Sequence, residues 1–315
     1  MEQHMNEVAE QPEEMGKEFL DSVNQGDTNW KRYVLTFLII IAVWILGSGT
    51  VMIGVYGPNP EGLPMDGTSP YLDFISLNLL FVTVLIGLWI GMRRAHKRSF
   101  RTLITPYANI RWRRILQGFG LQMGLGFIVT AIDALLFPGT YSYTLDPERF
   151  YKFAILVLLL TPFQTTTEEL LARSYILQII GHFTRNPIAL VVLNALPFAL
   201  LHFMNPEIAA HGAVPMMAFY FIVGGFLALV TLKDNGAELA IGIHAANNMF
   251  AAIFVNYKDS ALPTNTVWTA ETVNVWFGLI AYIISAAIMY HILFRNQQPQ
   301  TPFYRSDETP SRGEE

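Results

Sequence analysis

Two adjacent carboxylates and an arginine stand in "TTTEELLAR" (residues 165–173), one residue after the apolar run "FAILVLLLTPF". Further along come Phe198 and His202 in "NALPFALLHF", then His244 and Asn248 in "IGIHAANN". These residue types supply what hydrolysis of an amide needs. A base must take a proton from water, and donors must meet the oxyanion that develops on the carbonyl. Glu168 and His202 suit the first task; His244 and Asn248 suit the second. Glu169 and Arg173 are four residues apart, so on a helix they share a face and can pair as structural support. Glu168 lies about 100° further round and faces elsewhere. His244 and Asn248, again four apart, share a face. Asn194, Asn247 and residues 165–167 are candidates for supporting hydrogen bonds. Glutamate and histidine also ligate zinc, so a Zn²⁺ held by Glu168, His202 and His244 is the cofactor alternative. Other peptidase signatures are missing: the chain has no His-Glu-x-x-His, no Gly-x-Ser-x-Gly and no cysteine.

Singly, each of these features has a plainer reading. Glu169 with Arg173 is more often a structural pair than a catalytic one, and a lone His202 is more often packing. His244 and Asn248 alone read as hydrogen-bond glue between membrane helices. The plain readings account badly for one glutamate, two histidines and one asparagine together in apolar helices.

The elements that must position them are membrane helices. Hydrophobic residues make up 52% of the 315 and charged residues only 14%, against about a quarter charged in a soluble domain. Mean hydropathy is +0.35. Eight apolar segments fall at 33–55, 71–92, 115–137, 151–180, 188–203, 216–232, 239–255 and 273–294. The expected fold class is therefore an all-α polytopic membrane protein of about eight transmembrane helices, with the catalytic helices in the C-terminal half. The loop "RRAHKRSFRTLITPYANIRWRR" is strongly basic and should be cytoplasmic. Alternating from there puts Arg185, Lys233, Arg295 and both termini inside, and only Arg149, Lys152 and Lys258 outside. Residues 1–32 read as an acidic, disordered cytoplasmic tail without a cleavable signal, save for an amphipathic helix over 15–23. Residues 33–137 form a three-helix N-terminal region, 138–255 the core, 256–295 the last loop and helix, and 296–315 a disordered cytoplasmic tail. Gly120 and Gly124, a small-xxx-small pair, should let a neighbouring helix approach. A rise of about 1.5 Å per residue puts Glu168 and His202 both about 20 Å above the inner boundary. The net charge of −5 gives no nucleic-acid signal.

Glu-Glu-x-x-x-Arg, Phe-x-x-x-His and His-x-x-x-Asn on successive membrane helices resemble the CAAX protease and bacteriocin-processing (CPBP, or Abi) family. Here they read "EELLAR", "FALLH" and "HAANN". The resemblance implies a membrane-embedded endopeptidase open to the cytoplasm, in which Glu168 and His202 activate water while His244 and Asn248 stabilise the oxyanion. It covers about residues 151–255. Ala172 and Ser174 depart from the family's aromatic and glycine on either side of the arginine, which bears on specificity. The implied partners are the lipid bilayer and a peptide or membrane-anchored protein substrate; the plain architecture, with no targeting segment, points to a bacterial plasma membrane. The alternatives are a non-catalytic immunity or partner-binding protein on the same scaffold and, last, a proton-coupled transporter, for which the chain lacks the usual repeated halves.

Overall fold

The computed structural model describes residues 15–57, 69–258, 260–261 and 264–295. Each of the eight apolar segments falls on helix. They are α2 (Trp30–Tyr56), α3 (Pro70–Ile90), α4 (Trp112–Leu136), α5 (Pro147–Glu169) with its continuation α6 (Leu177–Phe183), α7 (Pro187–Leu201), α9 (Ala213–Asp234), α10 (Glu238–Ile253) and α11 (Val275–Phe294). A short α1 (Lys17–Asp21) precedes them, and α8 (Pro206–His211) joins α7 to α9. Starts follow from local chemistry. Asn186 caps α7 by accepting from the amides of Ile188 and Ala189, and Pro187 fills the first turn, where no amide partner is needed. Asp146 does the same for α5, ahead of Pro147.

The expected eight spans meet their first limit in length. Among the described residues, five helices are long and apolar enough to cross a membrane singly: α2, α3 with its extension to Ala95, α4, α9 and α11. The others differ for visible reasons. α7 has 15 residues and α10 has 16, short of the ~20 a bilayer core needs. α5 has the length, at 23 residues, but ends in Gln164, three threonines and two glutamates.

Polarity runs inside out relative to a soluble protein. On α2, Leu38, Ile45, Leu46 and Ile53 are exposed, whereas Thr161, Gln164, Glu169, Arg173, Asn194 and His244 are buried. A large contiguous apolar surface marks an interaction with something apolar; on helices of this length that partner is lipid.

The front and back of the chain are not separate bodies. α10 packs along α4, and α3 packs along α5. The α4–α10 approach relies on Gly118 and Gly242. A Cβ on Gly118 would stand 2.7 Å from the Leu239 carbonyl oxygen, and one on Gly242 would overlap the Ile115 carbonyl. Gly120 and Gly124, expected to make such a contact, face open space instead. The pair sits on another side of α4 from the α10 seam.

The two ends of the bundle are distinct. At one, β1 (Tyr141–Tyr143) pairs antiparallel with β3 (Trp268–Ala270), which pairs parallel with β2 (Val255–Tyr257). At the other, the α3–α4 loop meets the α9–α10 turn through Ala237 N donating to Ile104 O at 2.8 Å. Arg111 and Arg114 there engage Asp234 and Glu238.

Part of the expected N-terminal tail is folded. α1 and the 3₁₀ turn Ser22–Gln25 bury Phe19, Leu20 and Val23. Leu20 packs with Leu177, Leu190 and Leu232, and Gln178 donates to the Phe19 carbonyl at 3.0 Å. Three apolar side chains within five residues make a face that outweighs the acidic residues beside them. The expected disorder of residues 1–14 and 296–315 concerns positions outside the described residues.

Candidate active site

α5 brings Glu168 and Glu169 to its C-terminal end, and the helix then widens into a π turn over Leu170–Ile176. Such turns are rare and occur often at functional sites. The turn places Arg173 against Glu169 at 3.2 Å, with both side chains fully buried. The guanidinium lies 3.9 Å over the Phe198 ring, a cation–π contact. Asn194 of α7 donates to the Ala172 carbonyl at 2.7 Å and so ties α7 to the wide turn.

α10 faces this turn with His244, whose Nδ1 lies 2.6 Å from Glu169 Oε1. A carboxylate can only accept, so Nδ1 carries a proton. Nε2 is 3.9 Å from Glu168 Oε2. The two glutamates, expected on different faces with separate jobs, thus converge on one imidazole. They do so because His244 sits in the angle between them and presents one nitrogen to each. Glu169 therefore orients His244 as well as pairing with Arg173.

His202 follows the last residue of α7. Its Nδ1 donates to the Phe198 carbonyl at 2.7 Å, leaving Nε2 as an acceptor in the neutral ring. The ring stacks on Tyr220 at 4.3 Å and lies 4.4 Å from Phe198. Asn248 stands one turn beyond His244, where its Oδ1 accepts from Asn247 Nδ2 at 3.2 Å. Gln122 of α4 donates to Asn247 Oδ1 at 3.3 Å. This chain of amides leaves the Asn248 NH₂ free to donate elsewhere.

Glu168, His202, His244 and Asn248 all line one cavity of about 490 Å³. Glu169 and Arg173 lie behind its wall. Of the other polar groups, Asn194 and Asn247 support the site as described. Thr165 and Thr167 return their hydroxyls to carbonyls of their own helix, at 3.1 and 2.7 Å. Sequence reasoning missed Gln164, which donates to Glu168 Oε1 at 3.3 Å; its i, i+4 spacing was the available signal. It also missed Gln122, Tyr220 and Glu207, which no motif marks.

The zinc alternative is not matched by this geometry. Glu168, His202 and His244 do not close into a ligand set, and no three His, Asp or Glu side chains do so among the described residues.

Fold and site define a helical membrane protein with a Glu/His/Asn cluster inside the bundle. The family described as type II CAAX prenyl endopeptidase Rce1-like matches residues 150–250, a stretch that holds all three motifs. Uncharacterized protein YyaK of Bacillus subtilis (strain 168) is 31% identical over 303 residues, covering 89% of this chain and 98% of that one. No solved structure matches. The chain belongs to the Rce1-like CAAX protease (CPBP) family.

Proposed function

We propose that the protein is an intramembrane endopeptidase that hydrolyses a peptide bond with a water activated by Glu168 and His202. The observation that carries this reading is the convergence of Glu168, His202, His244 and Asn248 on one cavity. Water held between Glu168 and His202 Nε2 gives up a proton as its oxygen attacks the carbonyl carbon. The Asn248 NH₂ donates to the oxyanion. His244 Nε2 adds a second donor when the ring carries both protons, with Glu169 fixing the ring through Nδ1. Collapse of the tetrahedral intermediate expels the amine, which takes the proton back from the Glu168–His202 pair. Arg173, neutralised by Glu169, keeps the π turn in place and takes no part in proton transfer.

In this reading the protein is integral to a bacterial plasma membrane with both termini cytoplasmic. The α5–α6 rod, α7 and α10 complete eight crossings alongside the five longer helices. The exposed Arg93, Arg94, Lys97, Arg113 and Lys233 at one end support that orientation.

The test compares the membrane proteome of a deletion strain carrying the wild-type chain with strains carrying Glu168→Ala or His202→Ala. Each variant should lose cleavage by about 10²–10⁴-fold while eluting as a folded protein in detergent. Full processing in either variant sinks the assignment. A phenotype that both variants restore without cleavage would mean that the scaffold acts by binding alone.

A further inference from the structure

We propose that Glu207 is a positioning residue: it fixes the Tyr220 ring, and Tyr220 in turn fixes the imidazole of His202. The task given to that imidazole rests on the reading above; the mechanical link to Glu207 does not.

His202 sits where α7 comes apart. Its backbone N–H donates to the Ala199 carbonyl at 3.1 Å, three residues back instead of four. The Phe198 carbonyl, which an unbroken helix would pair with that N–H, accepts from His202 Nδ1 at 2.7 Å instead. This bond keeps the proton on Nδ1 only while the ring stays in place. The chain just beyond gives little support, since Phe203 is 51% and Met204 87% exposed. Two rings flank the imidazole. Phe198 is centred 4.4 Å away, buried with Arg173 over it. Tyr220 is centred 4.3 Å away and lies within 27° of parallel. Tyr220 comes from α9, so it refers the imidazole to a second helix.

Tyr220 is held by its hydroxyl. The O–H donates to Glu207 Oε1. Asn205 Nδ2 reaches that same oxygen at 3.3 Å and the Tyr220 oxygen at 3.2 Å. Asn205 precedes α8 and Glu207 is in its first turn, behind Pro206. The segment that leaves His202 therefore turns back and clamps the ring stacked on it.

The position is a costly one for a carboxyl group. Glu207 is 3% exposed on the cavity wall, and its Oε2 is buried with no hydrogen-bond partner. Among the described residues no lysine or arginine lines the cavity to offset it. Burial with an unpaired oxygen is unfavourable. What the group holds in return is Tyr220, against the imidazole that lines the same cavity.

The test reads His202 itself. Full-length protein with histidine isotopically labelled at the ring nitrogens is studied by NMR in detergent, and the His202 signals are assigned by their absence from His202→Ala. Wild type should show one fixed tautomer, protonated on Nδ1. Glu207→Ala and Tyr220→Phe should each shift the signals towards a mixture of tautomers. Tyr220→Phe keeps the ring and its packing, so it carries the test if Glu207→Ala fails to fold. Both should slow processing of the proteins left uncut in the Glu168→Ala strain, by about 10–100-fold, as a small misplacement of a reacting group does. Glu207→Gln keeps an oxygen for the Tyr220 hydroxyl and should recover part of the rate. The double variant Glu207→Ala/Tyr220→Phe should be no slower than the slower single one, because both changes break one bond. Unchanged His202 signals in Glu207→Ala and Tyr220→Phe would overturn the proposal, even with processing lost, since Glu207 would then meet the substrate directly. So would additive losses in the double variant. Shifted signals with no cleavage by wild type would leave the link standing and remove the peptidase reading alone.

Discussion

The two adjacent glutamates make opposite predictions, and the difference can be measured as stability. Glu169 and Arg173 are both fully buried, and among the described residues their contact is the only ion pair to either side chain apart from His244. Replacing Glu169 by Gln leaves a buried guanidinium without its counter-charge, a change that costs about 3–5 kcal/mol. Arg173→Met strands the carboxylate instead, but His244 stands 2.6 Å from it and can serve as the replacement cation. Arg173→Met should therefore cost less than Glu169→Gln, even though it also gives up the Phe198 contact. The double variant Glu169→Gln/Arg173→Met removes both charges and keeps an acceptor for His244 Nδ1. It should recover most of the loss, since apolar replacement of a whole buried pair is often neutral. Glu168→Gln, whose side chain is 17% exposed on the cavity wall, should leave stability near wild type and remove activity. The assay is the temperature at which each detergent-solubilised variant loses its monodisperse elution peak. Wild-type stability in Glu169→Gln, or a double variant no better than that single one, would refute the argument that the pair holds the wide turn together.

Three further outcomes follow from particular contacts. Asn248→Ala should lower kcat by about 10²–10³-fold with KM little changed, as expected for a donor used mainly in the transition state; an unchanged kcat in a steady-state assay would remove Asn248 from the mechanism. Gly242→Ala should destabilise by about 1–3 kcal/mol through collision with the Ile115 carbonyl, while Gly120→Ala, on open space, should be neutral in the same thermal assay. His96, outside the spans, donates through Nδ1 to the Asp27 carbonyl and meets the Tyr175 hydroxyl through Nε2, and burial pushes its imidazole below the usual 6.5. Below pH 6.5 the unfolded chain therefore binds the proton first. Stability should fall as pH drops from about 6.5 towards the depressed value, by at most ~1.4 kcal/mol per pH unit, and His96→Gln should flatten that slope in melting curves taken across the range.

The sequence made the residue types legible, along with the helices that carry them, because motif spacing and apolar runs are local properties. Contacts between helices were less so. "EELLAR" announces an i, i+4 ion pair, but nothing in it announces the π turn or the His244 contact, since both depend on where α10 lies. Gln122 was invisible as a site residue for the same reason: it belongs to α4, in a region without a motif. Gly120 and Gly124 match the small-xxx-small pattern as well as any residues on α4. Only the position of α10 selects Gly118 and Gly242's side of the seam. The α1 segment was half legible. Phe19, Leu20 and Val23 suggest an amphipathic helix, but the acidic residues around them mask a place in the core.

Helix length explains why the cavity exists where it does. α7 rises only about 22 Å before it ends next to His202, against a hydrocarbon core of about 30 Å. α10 is of similar length and gives way to β2 just past Asn248 and Ala251. Two helices that stop short on the same side leave a gap that neighbouring helices of full length cannot fill. The connecting segments line it instead, and the polar end of α5 then faces a cavity rather than lipid. A buried carboxylate beside a cavity can be solvated or can meet a substrate, so Glu168 is tolerable in a position where a lipid-facing glutamate would not be. The polar residues and the short helices are thus one feature: each would be a fault without the other.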